Sequence, residues 1–448
     1  MNDELLVEHD DHTEVYSFFM PENGSPYPIT RSFIEETGVR TVNFDELSYA
    51  VWVYPKAESE SFSVTIPRVK DRHTVRAVTI RSTPLDATLT TRCDHIKLKY
   101  LSIPSSVRYI NIENIKRNVA DLLNECTIEI SPDNPYLCVC KNGIYSKDMT
   151  VLYYIFSPDV FINGCYEVPA GVKLIRGGAG RALRGLRRLT IPESVDAVED
   201  RAFEDCPYLE YADIGAHNIA LRAFCGCNSL KEIRLSDHLQ KIGDHAFAYT
   251  EIQKLTIPPS VRDIGQYILQ NADPTCLTLE IYSKNGVLPK MHGSPAEVGT
   301  LIVILSSETN EKLCEFVMLG RINKVFTEHG IDFTRYDESF SMNFNSQGFP
   351  VKVGFRAAQV RLSQLDESDY EKREFFKQYI ANAAFLITLN AVMSYPNPAF
   401  DDNIKQTTYL DFVTDDDLLG LIDEAAQLNK PELTAWLMQF NHERKSRE

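Results

Sequence analysis

The sequence predicts an α+β protein, in which a solenoid of short strands lies between a β-rich N-terminal cap and an all-α C-terminal module. Three observations predict this fold. A pattern of apolar residues returns about every 22 residues between positions 168 and 272. Strand-like segments without a readable period precede that pattern, and segments with helical periodicity follow it.

The repeat is clearest from Leu189, where Leu-Thr-Ile-Pro-x-Ser-Val is followed by Ala-Phe-x-x-Cys and a closing Leu. Leu189 and Ile191 alternate with Arg188 and Thr190, so we expect the first pair to point into the core and the second pair outward. Pro192 ends the strand, because proline has no N–H for a further ladder bond. This period is typical of units that each supply a short strand and stack on their neighbours. The leading strand residues of the five units are Val168, Ile191, Ile214, Leu235 and Ile257.

Residues 166–272 resemble the BspA-type, or Treponema-type, leucine-rich repeat, whose signature is close to L-x-x-I-x-I-P-x-S-V-x-x-I-G-x-x-A-F-x-x-C-x-x-L. The resemblance extends upstream to residues 101–107, which open an earlier unit, and to residues 133–148, which resemble the hairpin that these proteins insert between repeats. Gly180 replaces the signature Phe, and Leu183 and Thr250 replace its Cys. The resemblance implies a leucine-rich-repeat solenoid.

The points where the repeat begins and ends predict three parts of the chain. Residues 1–95 are predicted to form the β-rich cap or small domain, and residues 96–310 the solenoid, with a hairpin insertion near 131–165. Residues 311–448 are predicted to be helical, and they resemble the ankyrin-like module that is attached to such repeats in proteins of gut Firmicutes.

Two helix starts can be predicted in the C-terminal part. Thr414 and Asp417 have the spacing of a capping box, and Pro431 suits the first turn of the last helix. Residues 368–392 form a longer amphipathic stretch, in which Phe375, Phe376 and Leu386 are among the predicted apolar positions.

Composition and charge narrow the class of partner. The formal net charge of −17 argues against general binding to nucleic acid or to anionic membranes. No stretch approaches the roughly 18 apolar residues of a membrane span, and residues 1–5 lack the basic residues of a signal peptide. We therefore expect a cytoplasmic protein without membrane insertion. A surface or exported location, on the precedent of the family, is the alternative.

The cysteines predict reduced structural thiols rather than a metal or redox site. The ten cysteines form no compact framework. Cys206 and Cys227 occupy the cysteine position of the repeat, and the pairs Cys138–Cys140 and Cys225–Cys227 have C-x-C spacing, not C-x-x-C.

Three motifs that suggest catalysis or metal binding have simpler explanations. The Gly-rich loop at 176–181 lacks the Gly-Lys-Ser/Thr ending of a phosphate loop and aligns with residues 199–204 of the next repeat. Residues 9–12, His-Asp-Asp-His, offer metal ligands, but they lie near a terminus with no evident residue to orient them. Residues 236–238, Ser-Asp-His, are consecutive, so their side chains diverge. We therefore expect no catalytic residue, no cofactor and no metal site.

The remaining prediction is a non-catalytic scaffold for protein–protein interaction. An adhesion or receptor protein at the cell surface is the alternative, and an enzyme with its site outside the repeats is a remote one. Four arginines form a predicted basic patch that could dock an acidic partner or the acidic segment 400–424: Arg176, Arg181, Arg184 and Arg187. The partner itself and the oligomeric state are not predicted. The outward strand positions that form the predicted protein-binding face are Glu167, Arg188, Thr190, Tyr211, Asp213, Glu232, Arg234, Lys254 and Thr256.

Overall fold

The computed structural model describes residues 4–19, 48–56, 60–70, 72–81, 97–113, 126–156, 162–270, 277–285, 287–293, 300–319, 326–327, 330–334, 336–338, 351–393 and 409–446. Contacts divide the chain into two compact units. Unit 1 comprises Met1–Asp273 with Pro289–Pro295, and unit 2 comprises Pro274–Leu288 with Ala296–Glu448.

The first part of unit 1 is built from strands that are mostly joined in parallel. Strands β3, β6 and β8 pair in parallel in one sheet, to which β1 and β2 add an antiparallel hairpin, and β4, β7 and β9 form a second parallel sheet. These strands are β1 (Glu4–Glu8), β2 (His12–Phe19), β3 (Ser48–Pro55), β4 (Ser61–Thr65), β5 (Val69–Lys70), β6 (His73–Arg81), β7 (Lys97–Ile103), β8 (Tyr109–Glu113) and β9 (Thr127–Ile130).

One apolar core joins strands of the two sheets. Val51, Phe62, Leu101 and Ile128, which come from β3, β4, β7 and β9, are buried in one cluster. The division into a cap and a solenoid stays a prediction, although residues of this one cluster lie on both sides of the predicted boundary at residue 95. The physical reason is that β4 pairs in parallel with β7 on the other side of that boundary, so the parallel stack begins before the sequence repeat becomes readable.

An antiparallel hairpin lies inside the segment predicted as an insertion. Strands β10 (Leu137–Cys140), β11 (Gly143–Ser146) and β12 (Val151–Ile155) pair in sequence, with Leu137 opposite Ser146. Asn134 is fully buried at its base, where its side-chain amide donates to the carbonyl oxygens of Pro104 and Val107. That amide connects the hairpin to the earlier repeat unit that the sequence predicted at 101–107.

The repeats supply two ladders of parallel strands. One ladder runs β13–β15–β17–β19, and the other runs β12–β14–β16–β18–β20–β22–β24. Besides β12, the strands of these ladders are β13 (Cys165–Glu167), β14 (Leu174–Ile175), β15 (Arg188–Ile191), β16 (Ala197–Val198), β17 (Tyr211–Ile214), β18 (Asn218–Ile219), β19 (Glu232–Leu235), β20 (Lys241–Ile242), β22 (Asp263–Ile264) and β24 (Lys290–Met291). The repeats also supply β21 (Lys254–Ile257).

The predicted inward residues form the core of the solenoid. Leu189 and Ile191 are buried, and so are Cys206 and Cys227, whose thiols donate to the carbonyl oxygens of Gly180 and Phe203 in the preceding repeat. The structural interpretation of these two cysteines is confirmed. Burial raises the pKa of the Cys227 thiol well above its ordinary value, which keeps the thiol in its neutral form.

A column of stacked phenylalanines fills the centre of the repeats. The rings of Phe203, Phe224 and Phe247 stack with centroid separations of 5.5 and 5.8 Å. Gly180 stands where the next ring of the column would be, and a Cβ at this position would lie 2.5 Å from the Phe203 ring. The departure of Gly180 from the repeat signature therefore has a packing cause, because the Phe203 ring occupies that space.

Unit 2 combines strands with helices. Strands β23 (Leu277–Tyr282), β25 (Thr300–Ser306) and β26 (Lys312–Leu319) pair in that order, and β27 (Phe326–Thr327) pairs with β28 (Gly330–Ile331). The prediction that the chain is helical from residue 311 differs from the structure here, because β26 pairs along its length with β25. The longer α-helices among the described residues of this unit are α1 (Val351–Gln364), α2 (Tyr370–Met393), α3 (Asp415–Gln427) and α4 (Pro431–Lys445).

The two predicted helix starts are confirmed. Thr414 caps α3 by accepting a hydrogen bond from the Asp417 backbone N–H, and Pro431 lies in the first turn of α4. The predicted amphipathic stretch is α2, in which Phe376 is buried, whereas Phe375 and Leu386 are about 40% exposed. Among the helices that the structure describes, none is both long and apolar enough to cross a membrane. The α+β class with a repeat solenoid and C-terminal helices is confirmed.

Two glycine-to-alanine substitutions are expected to have opposite effects. Gly180→Ala places a methyl group against the Phe203 ring and should destabilise the repeats by about 1–3 kcal/mol. Gly420→Ala lies in α3 with no atom within 4 Å of the new Cβ and should stabilise that helix by about 0.5–1 kcal/mol. Hydrogen exchange followed by mass spectrometry reads both effects locally. Equal protection of the repeat peptides in wild type and Gly180→Ala would contradict the packing argument.

Candidate functional site

The predicted protein-binding face lies on the ladder β13–β15–β17–β19 and on the following repeat strand, β21. Parallel register places its outward residues in two columns that cross the strands. The first column contains Cys165, Arg188, Tyr211 and Glu232, and the second contains Glu167, Thr190, Asp213 and Arg234. Lys254 and Thr256 are exposed on β21. All nine predicted residues thus lie on outward strand positions, while their inward neighbours Leu189, Ala212 and Leu255 are fully buried.

Contacts within each column organise this face. The Arg188 guanidinium lies 4.2 Å from the centre of the Tyr211 ring, its neighbour in the first column. In the second column, Arg234 Nη1 lies 3.7 Å from Asp213 Oδ2. Arg234 remains 75% exposed in this pair, so its charge is available to solvent. The nine residues of the face present one aromatic ring, three cations and three carboxylates.

The predicted basic patch is largely compensated by acids of the following repeat. Arg176 pairs with Glu199 at 3.2 Å and Arg187 pairs with Glu210 at 2.7 Å, each acid standing 23 residues after its arginine. Arg181 pairs with Glu204 at 2.7 Å in the same way. The docking of an acidic partner on this patch stays a prediction. The acidic segment proposed as its internal partner lies partly outside the described residues, which resume at residue 409.

The Gly-rich loop binds an anionic group of its own chain. The Gly177 N–H donates to Glu199 Oε2 at 2.9 Å, while Arg176 contacts the other oxygen of that carboxylate. Beside the loop is an open cleft of about 260 Å³, which Tyr109 and Tyr153 also line. The loop thus has the role of a repeat turn, with the next repeat supplying the anion.

Sequence reasoning missed a buried carboxylate between three arginines. Glu204 is 4% exposed, and Arg181, Arg201 and Arg222 approach it to between 2.7 and 3.7 Å. Burial raises its pKa above the ordinary value, although the three guanidinium groups oppose that rise. The 21-residue step from Arg201 to Arg222 in the sequence is the signal that could have predicted this cluster.

A second missed cluster lies at the tip of the β1–β2 hairpin. His9, His12 and Glu14 each offer a ligand atom, and these atoms all lie within 4.8 Å of one another. Contrary to the expectation, a neighbouring residue orients one of the histidines, because Asp11 Oδ1 lies 2.6 Å from His12 Nδ1. Glu14 lies outside the contiguous motif at residues 9–12. The alternation of side chains along β2, which places His12 and Glu14 on one side of the strand, is the signal that could have predicted it.

His12 and Glu14 are buried at the hairpin tip, and their neighbours shift the pKa of each. Burial alone would lower the pKa of His12, but the Glu14 and Asp11 carboxylates raise it above its ordinary value. Burial alone would raise the pKa of Glu14, but His12 and the Tyr16 hydroxyl lower it below its ordinary value. Both shifts favour the charged forms of these two groups.

Comparison with known proteins identifies the repeats. Residues 158–275 match the family model described as the BspA type leucine rich repeat region, in six copies. The predicted repeat type is confirmed over these residues, with one copy more than the five units that were read from the sequence. The ankyrin-like assignment of the C-terminal helices stays a prediction.

Solved structures that resemble this chain come from several bacteria. A leucine-rich repeat protein from Bacteroides ovatus is 18% identical, with a TM-score of 0.37 and coverage of 60% of this chain and 68% of that chain. A leucine-rich repeat protein of T. pallidum is 19% identical, with a TM-score of 0.26 and coverage of 45% and 81%. A leucine rich cell surface protein from Faecalibacterium prausnitzii is 13% identical, with a TM-score of 0.27 and coverage of 62% and 89%. No curated protein matches this chain.

Glu204 should make the stability of the repeats depend on pH. Its pKa in the folded state is raised above the ordinary 4.5, so its contribution to stability is fully present below about pH 4.5 and is lost as the pH rises through the folded value. Glu204→Gln should remove this loss. The free energy of unfolding of the variant, measured by urea titration, should therefore gain on wild type between about pH 4 and about pH 8.

Glu210→Gln is the matched control. Glu210 also pairs with an arginine from the preceding repeat, but it is 53% exposed. The difference between this variant and wild type should change little over the same range of pH. If the variant instead keeps the same stability relative to wild type, or loses stability relative to it as the pH rises, the guanidinium groups balance or outweigh the burial of the carboxylate.

Proposed function

We propose that the BspA-type leucine-rich repeat region of this chain, residues 158–275, binds another protein through the outward residues of β13, β15, β17, β19 and β21, and that the chain is a non-catalytic interaction scaffold. Repeats of this type are typically protein-interaction scaffolds. The observation that carries the proposal is the arrangement of outward polar side chains in two columns on a parallel ladder.

The chemistry of the face supports a protein as its partner. Arg and Tyr are the residue types that most often dominate the binding energy of protein interfaces, and Arg188 and Tyr211 are in contact at the centre of the first column. Asp213 and Arg234 add charges of both signs in the second column. A surface of mixed charge selects a partner by complementary pairs rather than by net charge.

The outward residues of the face can also be substituted without changing the packing of the core. The Arg188–Tyr211 and Arg234–Asp213 contacts are at the surface, where such contacts are each worth roughly 1 kcal/mol or less. The inward residues of the same strands, such as Leu189 and Ile214, are fully buried and carry the packing. Substitution of the outward residues therefore tests binding without removing the fold.

A reducing compartment suits the cysteines. The half-buried Cys138 and the exposed Cys165 are free thiols. Free thiols persist in the cytoplasm and are uncommon in secreted proteins. We therefore propose a cytoplasmic location, with display at the cell surface as the alternative.

Charge reversal of the two arginines should weaken capture of the partner. The partner is first identified by cross-linking and mass spectrometry, with the full chain as bait. We expect Arg188→Glu/Arg234→Glu to reduce its affinity at least tenfold, because both substitutions remove a cation from the centre of the face and place a like charge beside its acids. Circular dichroism and hydrogen exchange should show an unchanged fold.

The matched control carries the same change of charge on the other ladder. Lys241 and Arg262 are exposed near β20 and β22, and Lys241→Glu/Arg262→Glu should leave the affinity for the partner within about twofold. If the control variant lost binding and the Arg188→Glu/Arg234→Glu variant retained it, the interface would lie on the second ladder, and the proposed face would be incorrect.

The proposed location is tested by fractionation of the native cells. We expect the chain in the cytoplasmic fraction, with Cys165 open to labelling by a thiol reagent at the moment of lysis because it is exposed and free. Recovery of the chain from the surface or culture-supernatant fraction, with Cys165 blocked, would contradict this proposal and favour the adhesion function.

A further inference from the structure

We propose that the tip of the β1–β2 hairpin is a binding site for one divalent transition-metal ion of the Zn²⁺ type, with His9, His12 and Glu14 as ligands and Asp11 as the residue that orients His12. This site lies outside the repeats and is independent of the proposed protein-binding face.

The backbone of the hairpin brings the three ligands together. The His9 N–H donates to the carbonyl oxygen of His12 across the turn, so these two residues face each other where the two strands meet. Glu14 follows His12 by two residues on β2, and alternate residues of a strand point to the same side. The imidazole rings of His9 and His12 consequently lie against each other, with their centres 4.2 Å apart.

Asp11 fixes the ligating form of His12. An ionised carboxylate only accepts hydrogen bonds, so the 2.6 Å contact between Asp11 Oδ1 and His12 Nδ1 places a proton on Nδ1. In a neutral His12 ring the lone pair is then on Nε2. Asp11 is itself held in place, because its Oδ2 accepts the Ser63 backbone N–H and its carbonyl oxygen accepts the Lys56 N–H. A carboxylate that holds the far nitrogen of a histidine is the usual support of a metal ligand.

The second observation is a buried nitrogen without a partner. The His12 side chain is 5% exposed, and among the described residues no hydrogen-bond partner reaches its Nε2. The nearest facing group is Glu14 Oε1, at 3.6 Å, and the Glu14 carboxylate also lies 3.5 Å from His9 Nε2. In the neutral form of His12, the Nε2 lone pair faces the Glu14 carboxylate in a buried position, which is unfavourable unless a proton or a metal ion lies between them.

The donor set favours zinc. Two imidazole nitrogens and one carboxylate oxygen are ligands of Zn²⁺, which binds them at about 2.0–2.2 Å and leaves a fourth position for water. The ligand atoms are within 4.8 Å of one another, so small movements are enough to bring them to such distances. His9 must rotate its ring, since the two rings are now nearly parallel, and its 40% exposed side chain is free to turn. The Tyr16 hydroxyl donates to Glu14 Oε2 and holds the third ligand in place.

The test uses the full chain, stripped with a chelator, kept reduced, and titrated with Zn²⁺ and with Co²⁺ as a spectroscopic probe. We expect one equivalent of metal per chain at this site. The Co²⁺ spectrum should show the d–d bands of nitrogen and oxygen ligation without the thiolate charge-transfer band that binding at cysteines would produce. His9→Gln and His12→Gln should each abolish that equivalent. His9 is mostly outside the core, so His9→Gln remains informative if His12→Gln fails to fold.

Asp11→Asn and Asp10→Asn form the matched pair. Both remove one negative charge at the hairpin tip, but only Asp11 contacts His12. We expect Asp11→Asn to weaken the binding of Zn²⁺ about 10–100-fold and Asp10→Asn to change it by less than about threefold. The proposal is overturned if the reduced chain binds no equivalent of Zn²⁺, if the binding persists in His9→Gln, or if the two aspartate variants weaken it equally. If no Zn²⁺ binds, a proton on His12 Nε2, and not a metal, lies between His12 and the Glu14 carboxylate.

Discussion

The pairing of each repeat with the next is the constraint on which the rest of the structure depends. Strands of two to four residues cannot bury an apolar face or satisfy their backbone groups alone. Each therefore takes its hydrogen bonds from the neighbouring repeat, as when the Gly243 N–H donates to the Ile219 carbonyl oxygen. The phenylalanine column from Phe203 to Phe247 adds a packing condition of the same period. Register between repeats is consequently fixed in two ladders at once, and a shift in one ladder would break the other.

This constraint also decides what the surface can present. An outward side chain in one repeat lies beside the equivalent side chain of the next, so charges on the solenoid meet as pairs across the repeats. Arg187 with Glu210 and Arg176 with Glu199 are such pairs. A run of arginines that is cationic in the sequence is thus compensated by acids one repeat later. The predicted binding face differs from the patch, because Arg188 rests on an uncharged aromatic ring, that of Tyr211, and Arg234 extends beyond Asp213 into solvent.

The sequence predicts those features of the fold that follow from the repeat of about 22 residues. It does not predict the strand pairing of the region where that repeat is absent. The inward positions of Leu189 and Cys206 and the outward positions of Arg188 and Thr190 all follow from one aligned repeat. The region before it has the same parallel pairing, in which Ser63 pairs with Tyr100 and Tyr100 with Thr127, but the steps between these partners differ in length. Because these steps vary, the sequence of this region has no constant period from which its strand pairing could be predicted.

The roles of the residues at the hairpin tip are a second feature that the sequence alone does not predict. The contiguous residues His-Asp-Asp-His offer two imidazoles and two carboxylates, and the fold gives them different roles. His9 and His12 face each other, Asp11 supports His12, and the third candidate ligand, Glu14, lies two residues further along the strand. Repeat stacking explains none of this, because the cluster lies in the antiparallel hairpin. The fold buries His12 and Glu14 together and leaves His12 Nε2 without a hydrogen bond from the described residues, an arrangement that costs free energy unless something positive lies between the nitrogen and the carboxylate. A proton and a metal ion both satisfy that requirement, but only a metal ion also uses the facing imidazole of His9. The position of His9 is therefore the strongest structural argument for a metal at this site.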